Sequence, residues 1–524
     1  MIKNKLSVPN TLLGFITVYA VLLIVTWFFV VKFNVIDDNL NPARVLSLAH
    51  FKYLFHSWSQ RTLIDIFTLF CLKQGVIFCK IISVVMYVLF VYLLAKLFNL
   101  KSVKFYSILI VLIGFYNFLE MESVGAFTVL SNYFFPLVLG IFIVNILLKE
   151  LDKTKIIDII KIIILPFISI YALTNELLAL AFILFCPFSY YLTRRNIETH
   201  FFIFAIAIAQ VSLIFLSGAS SYRYCINLLS FNGYESLSSA YKLYLGVSST
   251  LLYYTAQLNA FFLFLCLTVI LCLFNKITLL KCAICVLLLG GIQYISQRYN
   301  NELNWLLFHW TTDPLKDGVS SIKVLFLTII SILMFCLIFV GVSFVKCERK
   351  VKVIFCGLIV IGLIVRFAMA FSPTLYYSMA RTFIFTNTIF LLASLYLLYK
   401  FDLITSKQNI VIATLCFLIV AIPRTSFLIS DEYKNNYPYK PVIYSDPTYK
   451  EKMDNCAIKE LGFKMIEPEI SKEASSDKFI GCWVKDFKGN KRKCTEQEFN
   501  RFLKNYKEKE LVNRIKNEQK VFFN

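Results

Sequence analysis

Thirteen runs of mostly apolar residues dominate the chain, at about 11-31, 76-95, 105-119, 127-148, 157-173, 177-193, 201-217, 250-274, 278-295, 322-345, 353-371, 383-399 and 409-424. A bilayer core is crossed by a helix of about 20 apolar residues, and a spanning segment must satisfy its backbone hydrogen bonds internally. Helices are therefore the expected form of every run. The bulk composition agrees: 58% hydrophobic against 16% charged residues is too apolar for an ordinary soluble domain. With 17 Gly and 12 Pro in 524 residues, collagen-like and low-complexity readings are excluded. The expected fold is an all-α polytopic membrane protein over 1-424, with about thirteen transmembrane helices.

The net charge of +21 would suggest nucleic acid in a soluble protein. Here the cations sort by side of the membrane, and no nucleic-acid partner is expected. Lys96, Lys101, Lys104, Lys149, Lys153, Arg194, Arg195, Lys346, Arg349, Lys350, Lys352 and Lys400 fall in alternate connections. The positive-inside rule then sets the N-terminus in the cytoplasm and, after thirteen crossings, the tail outside. The first apolar run is followed by Lys32-Phe33-Asn34 rather than small residues, which fits an uncleaved signal anchor. Cys282 and Cys285 have the CxxC spacing, but they lie in an apolar run without a second ligand pair.

From 425 to 524 the composition turns polar, which predicts a small α+β extracytoplasmic C-terminal domain. Asp446-Pro447 starts a helix running toward Gly462, residues 478-485 read as a strand, and Gly489-Asn490 supplies a turn. Thr495 and Glu498 form a capping box ahead of a last helix. Cys482 and Cys494 bracket the turn and can be bridged in an oxidising compartment, with Cys456 as the competing partner.

Polar residues at the outer helix ends are the candidate site, because ionisable groups at membrane depth are costly unless they pair or line a cavity. Asp37 and Asp38 follow the first helix; adjacent carboxylates repel, which would raise the pKa of one and suit it as a base or metal ligand, the alternative being a solvated turn. Residues 42-74 read as interfacial helix, with Trp58 facing lipid and Arg61 available to headgroups. Asn175 and Glu176 form a tight outer tip, where Glu176 either lines a cavity or pairs with an arginine from another loop. Glu120 and Glu122 lie at another tip, near Ser131-Asn132-Tyr133 at the start of the fourth helix, and these groups either bind sugar hydroxyls or satisfy one another. Arg223, Arg298, Arg366 and Arg381 are the outer cations able to grip phosphate, with Arg381 favoured at the mouth of the twelfth helix. Arg366 lies deeper and must pair internally or snorkel.

An uncleaved first helix, Asp37-Asp38, Trp58-Ser59-Gln60-Arg61, Asn175-Glu176, Arg381 and an outer tail together resemble the GT-C class of polytopic glycosyltransferases. More narrowly the chain is similar to the bacterial and phage-borne serotype-converting O-antigen glucosyltransferases. The resemblance implies an inner-membrane enzyme with its active site facing the periplasm. Such an enzyme moves a sugar, glucose by resemblance, from undecaprenyl phosphate to a hydroxyl of a lipid-linked O-antigen. Asp37 or Asp38 would be the base, Arg381, Arg61 and Arg223 would hold the donor phosphate, and Glu176, Asn175, Trp58, Glu120 and Asn132 would bind sugar or acceptor. No metal and no cofactor are expected; the partners are the donor lipid, the acceptor, membrane lipid and a cognate donor-lipid synthase and flippase. A lipid-linked oligosaccharide flippase or an O-antigen polymerase are the competing readings.

Overall fold

A computed structural model describes residues 61-98, 126-149, 156-216, 224, 234-255, 259-273, 322-375, 379-401, 482-485 and 491-494. Helix α1 (Thr62–Gln74) meets α2 (Val76–Leu97) at Gly75, whose φ of 100° is open to glycine and strained for other residues. A short helix α3 (Ala126–Val129) runs through a π turn (Leu130–Phe134) into α4 (Phe135–Leu148). Next come α5 (Ile156–Leu173), α6 (Glu176–Thr193) and α7 (Ile197–Leu216). Arg194 and Asn196, both at positive φ, make the α6–α7 connection tight, and the Asn196 amide donates to Lys149 O at 2.8 Å.

The second half contains α8 (Ser239–Thr255), α9 (Ala260–Leu273), α10 (Ile322–Phe344), α11 (Arg349–Phe367) with a 3-10 turn (Ala368–Phe371), and α12 (Met379–Lys400). Two strands, β1 (Cys482–Lys485) and β2 (Lys491–Cys494), pair antiparallel in the tail. The protein is a helical membrane protein. Among the described residues, five stretches are long and apolar enough to cross: Val76–Leu97, Phe127–Leu148, Glu176–Thr193, Arg349–Phe371 and Arg381–Lys400. Other apolar helices agree, because Phe167, Phe201 and Leu337 are 72%, 70% and 67% exposed, an exposure that a lipid solvent favours.

Two aromatic-rich clusters hold the helices together. Tyr87 stacks on Phe134 at 4.2 Å where α2 meets the π turn, and Phe90 and Phe127 are buried beside them. Tyr254, Phe262, Phe335 and Phe390 fill the space among α8, α9, α10 and α12. Glycine decides two close approaches. A β-carbon at Gly246 would lie 2.5 Å from that of Ala370, and one at Gly357 would meet the Phe188 ring at 2.3 Å.

Side-chain contacts order the helix ends. Lys149 donates to Lys96 O at 2.5 Å, and Phe98 packs on Tyr399 at 6.0 Å, so the C-terminal ends of α2, α4 and α12 share one end of the bundle. Thr68 meets Ser131 at the other end, and α2 and α4 therefore run parallel. Parallel neighbours are what an intervening crossing would produce, and the one expected at 105-119 lies outside the described residues. Thr255 meets Ser331 and Phe262 meets Phe335, so α8–α9 and α10 also run parallel; the crossing expected at 278-295 is likewise outside them.

One expected span is corrected. The run 250-274 is not a single helix: helical structure begins already at Ser239, before the apolar run, and Asn259 within the run is not helical. Asn259 is a helix-capping residue, its Oδ1 accepting from Phe261 N at 2.9 Å. Hydrophobicity located the apolar half of this path and missed the polar half, where Ser248, Ser249 and Thr250 donate to carbonyls three or four residues back.

Candidate functional site

Four of the residues singled out from sequence converge at the end of the bundle opposite Lys96. Arg61 stands at the N-terminus of α1 and is 8% exposed. Its Nε donates to Glu176 Oε2 at 2.9 Å, its Nη2 donates to the same oxygen, and its Nη1 reaches Asn132 Oδ1 at 3.4 Å. The guanidinium lies 5.1 Å from the centre of the Tyr133 ring. Burial by itself would lower the Arg61 pKa, but the Glu176 carboxylate and then Tyr133 outweigh it, and the group is held above its ordinary value.

Local sequence explains how these groups meet. Asn175 caps α6, accepting from Leu178 N at 3.2 Å, and this places Glu176 in the first turn, where a carboxylate is favoured by the helix dipole. The same Asn175 donates to Asn132 O at 2.8 Å, tying the α6 tip to the π turn. A π turn widens the helix by one residue and frees carbonyls for other donors. Asn132 donates to Thr128 O at 2.8 Å, and the Thr68 hydroxyl lies 2.7 Å from that of Ser131, locking α1 onto the turn.

Tyr133 leads onward to α12. Its ring lies 6.3 Å from Phe385, one turn beyond Arg381, so Arg381 sits at the same end as Arg61. The Arg381 Nε is buried and has no hydrogen-bond partner among the described residues. Directly below Tyr133 and Glu176, Leu137, Gly140, Leu178, Phe182 and Phe385 line an apolar cavity of about 70 Å³. Ligand pockets run to roughly 300–1,000 Å³, so this cavity takes a small apolar group and no more.

Arg366 takes the internal option. It is 1% exposed, its Nη2 donates to Leu375 O at 3.2 Å, and its guanidinium lies 4.2 Å from the Phe383 ring. Phe383 in turn stacks on Tyr253 at 3.7 Å. For Glu176, the structure realises the pairing alternative: the carboxylate is bound by an arginine from another segment and keeps 22% side-chain exposure. Asp37, Asp38, Trp58, Glu120 and Arg223 lie outside the described residues.

Sequence reasoning passed over two polar groups beside this cluster, Thr62 and Tyr171. Thr62 shares the first turn of α1 with Asp65, and Tyr171, at the end of α5, lies within electrostatic reach of that carboxylate. The Tyr171 and Thr62 hydroxyls are buried with no hydrogen bond among the described residues. A tyrosine near a helix end reads as an ordinary interfacial anchor, and a threonine at a helix start as a capping residue, so neither stands out in sequence. No protein-family model, curated protein or solved structure matches the chain.

Proposed function

We propose that the protein is an inverting membrane glycosyltransferase of the GT-C kind, which moves a sugar, glucose by resemblance, from undecaprenyl phosphate to an O-antigen hydroxyl. What supports this reading most is the union of Arg61, Asn132, Asn175 and Glu176, four polar side chains from three segments far apart in sequence, above an apolar cavity. A lipid phosphate has this duality, with a charged head at the membrane boundary and an apolar chain below it. Because the cavity is small, most of the chain would lie in lipid against the helices.

The chemistry follows from the leaving group. A polyprenyl phosphate leaves as a stable anion, so no general acid is needed, and cations that hold its oxygens supply the transition-state stabilisation. Arg381 suits that role because its Nε is uncommitted among the described residues, whereas Arg61 already holds Glu176 through two nitrogens. Arg61 then orients the carboxylate, and Glu176 and Asn132 would exchange hydrogen bonds with sugar hydroxyls. Asp37 or Asp38 would take the proton from the attacking hydroxyl, and direct displacement inverts the anomeric centre. The proposal includes thirteen crossings, a cytoplasmic N-terminus, a periplasmic active site and a tail domain outside. A donor-lipid synthase and a flippase would act upstream.

The test is the O-antigen repeat, measured by mass spectrometry and NMR, in cells with a polyprenyl-phosphate-glucose source and with or without this gene. One added hexose per repeat, absent in the Asp37→Asn/Asp38→Asn double variant, is the expected result. An unaltered repeat with changed chain length or amount would refute the transferase and favour a polymerase or flippase.

A further inference from the structure

The register of the tail hairpin pairs Cys482 with Cys494, followed by Trp483 with Lys493, Val484 with Arg492 and Lys485 with Lys491. A residue and its partner directly opposite in an antiparallel ladder have α-carbons about 4.5–5.5 Å apart. Disulfides need about 4.4–6.8 Å. The register therefore sets the two cysteines at an α-carbon spacing that a bridge can span.

Among the described residues the hairpin has little else in its favour. An isolated two-stranded ribbon is marginal in water, and like charges directly opposite one another destabilise a pair. Here Lys485 faces Lys491 across the ladder, and three successive cations, Lys491, Arg492 and Lys493, occupy one strand. A covalent link at the open end, farthest from the turn, closes the whole ribbon and removes conformations from its unfolded state.

We infer that Cys482 and Cys494 form an intrachain disulfide across this hairpin, which places the tail in an oxidising compartment. The Cys482 thiolate attacks one sulfur of a disulfide-bonded protein oxidant, giving a mixed disulfide and releasing one oxidant thiolate. The Cys494 thiolate then attacks the Cys482 sulfur and displaces the second oxidant thiolate. Two cysteine thiols are oxidised, the oxidant's disulfide is reduced to a dithiol, and the two protons pass to its thiolates. Cys456, the rival partner read from sequence, lies outside the described residues.

The test uses the full-length protein in native membranes. Free thiols are blocked with N-ethylmaleimide at low pH, the protein is digested without reductant, and linked peptides are identified by mass spectrometry. A Cys482–Cys494 linked peptide that disappears with dithiothreitol, and persists in a Cys456→Ser variant, is expected. Maleimide on both cysteines before reduction, or either one linked to Cys456, would overturn the assignment. This readout is independent of glycosyl transfer.

Discussion

Arg61 and Glu176 carry the greatest individual consequences. Removing one partner of a buried ion pair strands the other charge in a low dielectric and costs about 3–5 kcal/mol. Glu176 keeps partial exposure, so Arg61→Ala, which strands it, is expected at the lower end of that range, and Glu176→Ala, which strands the more deeply buried Arg61, at the upper. Thermal unfolding in detergent would measure both. Because the guanidinium is held above its ordinary pKa, its charge and stabilisation persist below that ordinary value and are not lost at any accessible alkaline pH. If Glu176 also binds sugar, Glu176→Gln, which keeps shape and an acceptor oxygen but leaves the Arg61 charge unneutralised, should cost less stability than Glu176→Ala and lower transfer per folded molecule by at least about tenfold. Equal loss of folded protein and of transfer would assign Glu176 a structural role alone. Arg381→Lys separates charge from fork geometry: retention of full activity would remove Arg381 from the phosphate site.

At the scale of elements, caps and glycines set the contacts that bring the site together. Asn175→Ala removes the α6 cap and the tie to Asn132 O, for an expected loss of about 1–2 kcal/mol. Gly246→Ala would push a methyl group into the Ala370 backbone and separate α8 from the 3-10 turn, at a cost of about 1–3 kcal/mol. The same backbone is held from the other side by Tyr234, whose hydroxyl donates to Ala370 O at 2.5 Å. A Gly246→Ala protein with unaltered melting behaviour would show that this approach relaxes freely. Most helices were legible from apolar periodicity alone, including α5, α6 and α7. The polar start of α8 was not, because its serines and threonines are satisfied by their own helix and resemble a loop in composition. The π turn was also invisible, since Leu130–Phe134 has the composition of ordinary helix.

At the scale of the whole molecule, the helix-end contacts make a topological forecast. Reporter fusions ending near Phe98, Lys149 and Arg195 should all report one side of the membrane, and fusions near Thr174 and Leu375 the other. Opposite readings for the Phe98 and Lys149 fusions would break the parallel pairing of α2 and α4. The sequence by itself determined that the chain lies in a membrane and where most helices run, because the cost of unpaired backbone in hydrocarbon acts on each segment separately. It also marked Arg61, Asn132, Asn175, Glu176 and Arg381 as polar groups at helix ends. Tertiary structure alone decided that Arg61 grips Glu176, that Arg366 turns inward to Leu375 and Phe383, and that Cys482 lies opposite Cys494. Those outcomes depend on which of many polar groups come within hydrogen-bond reach. That is a property of helix packing and strand register, and no local pattern of residues encodes it.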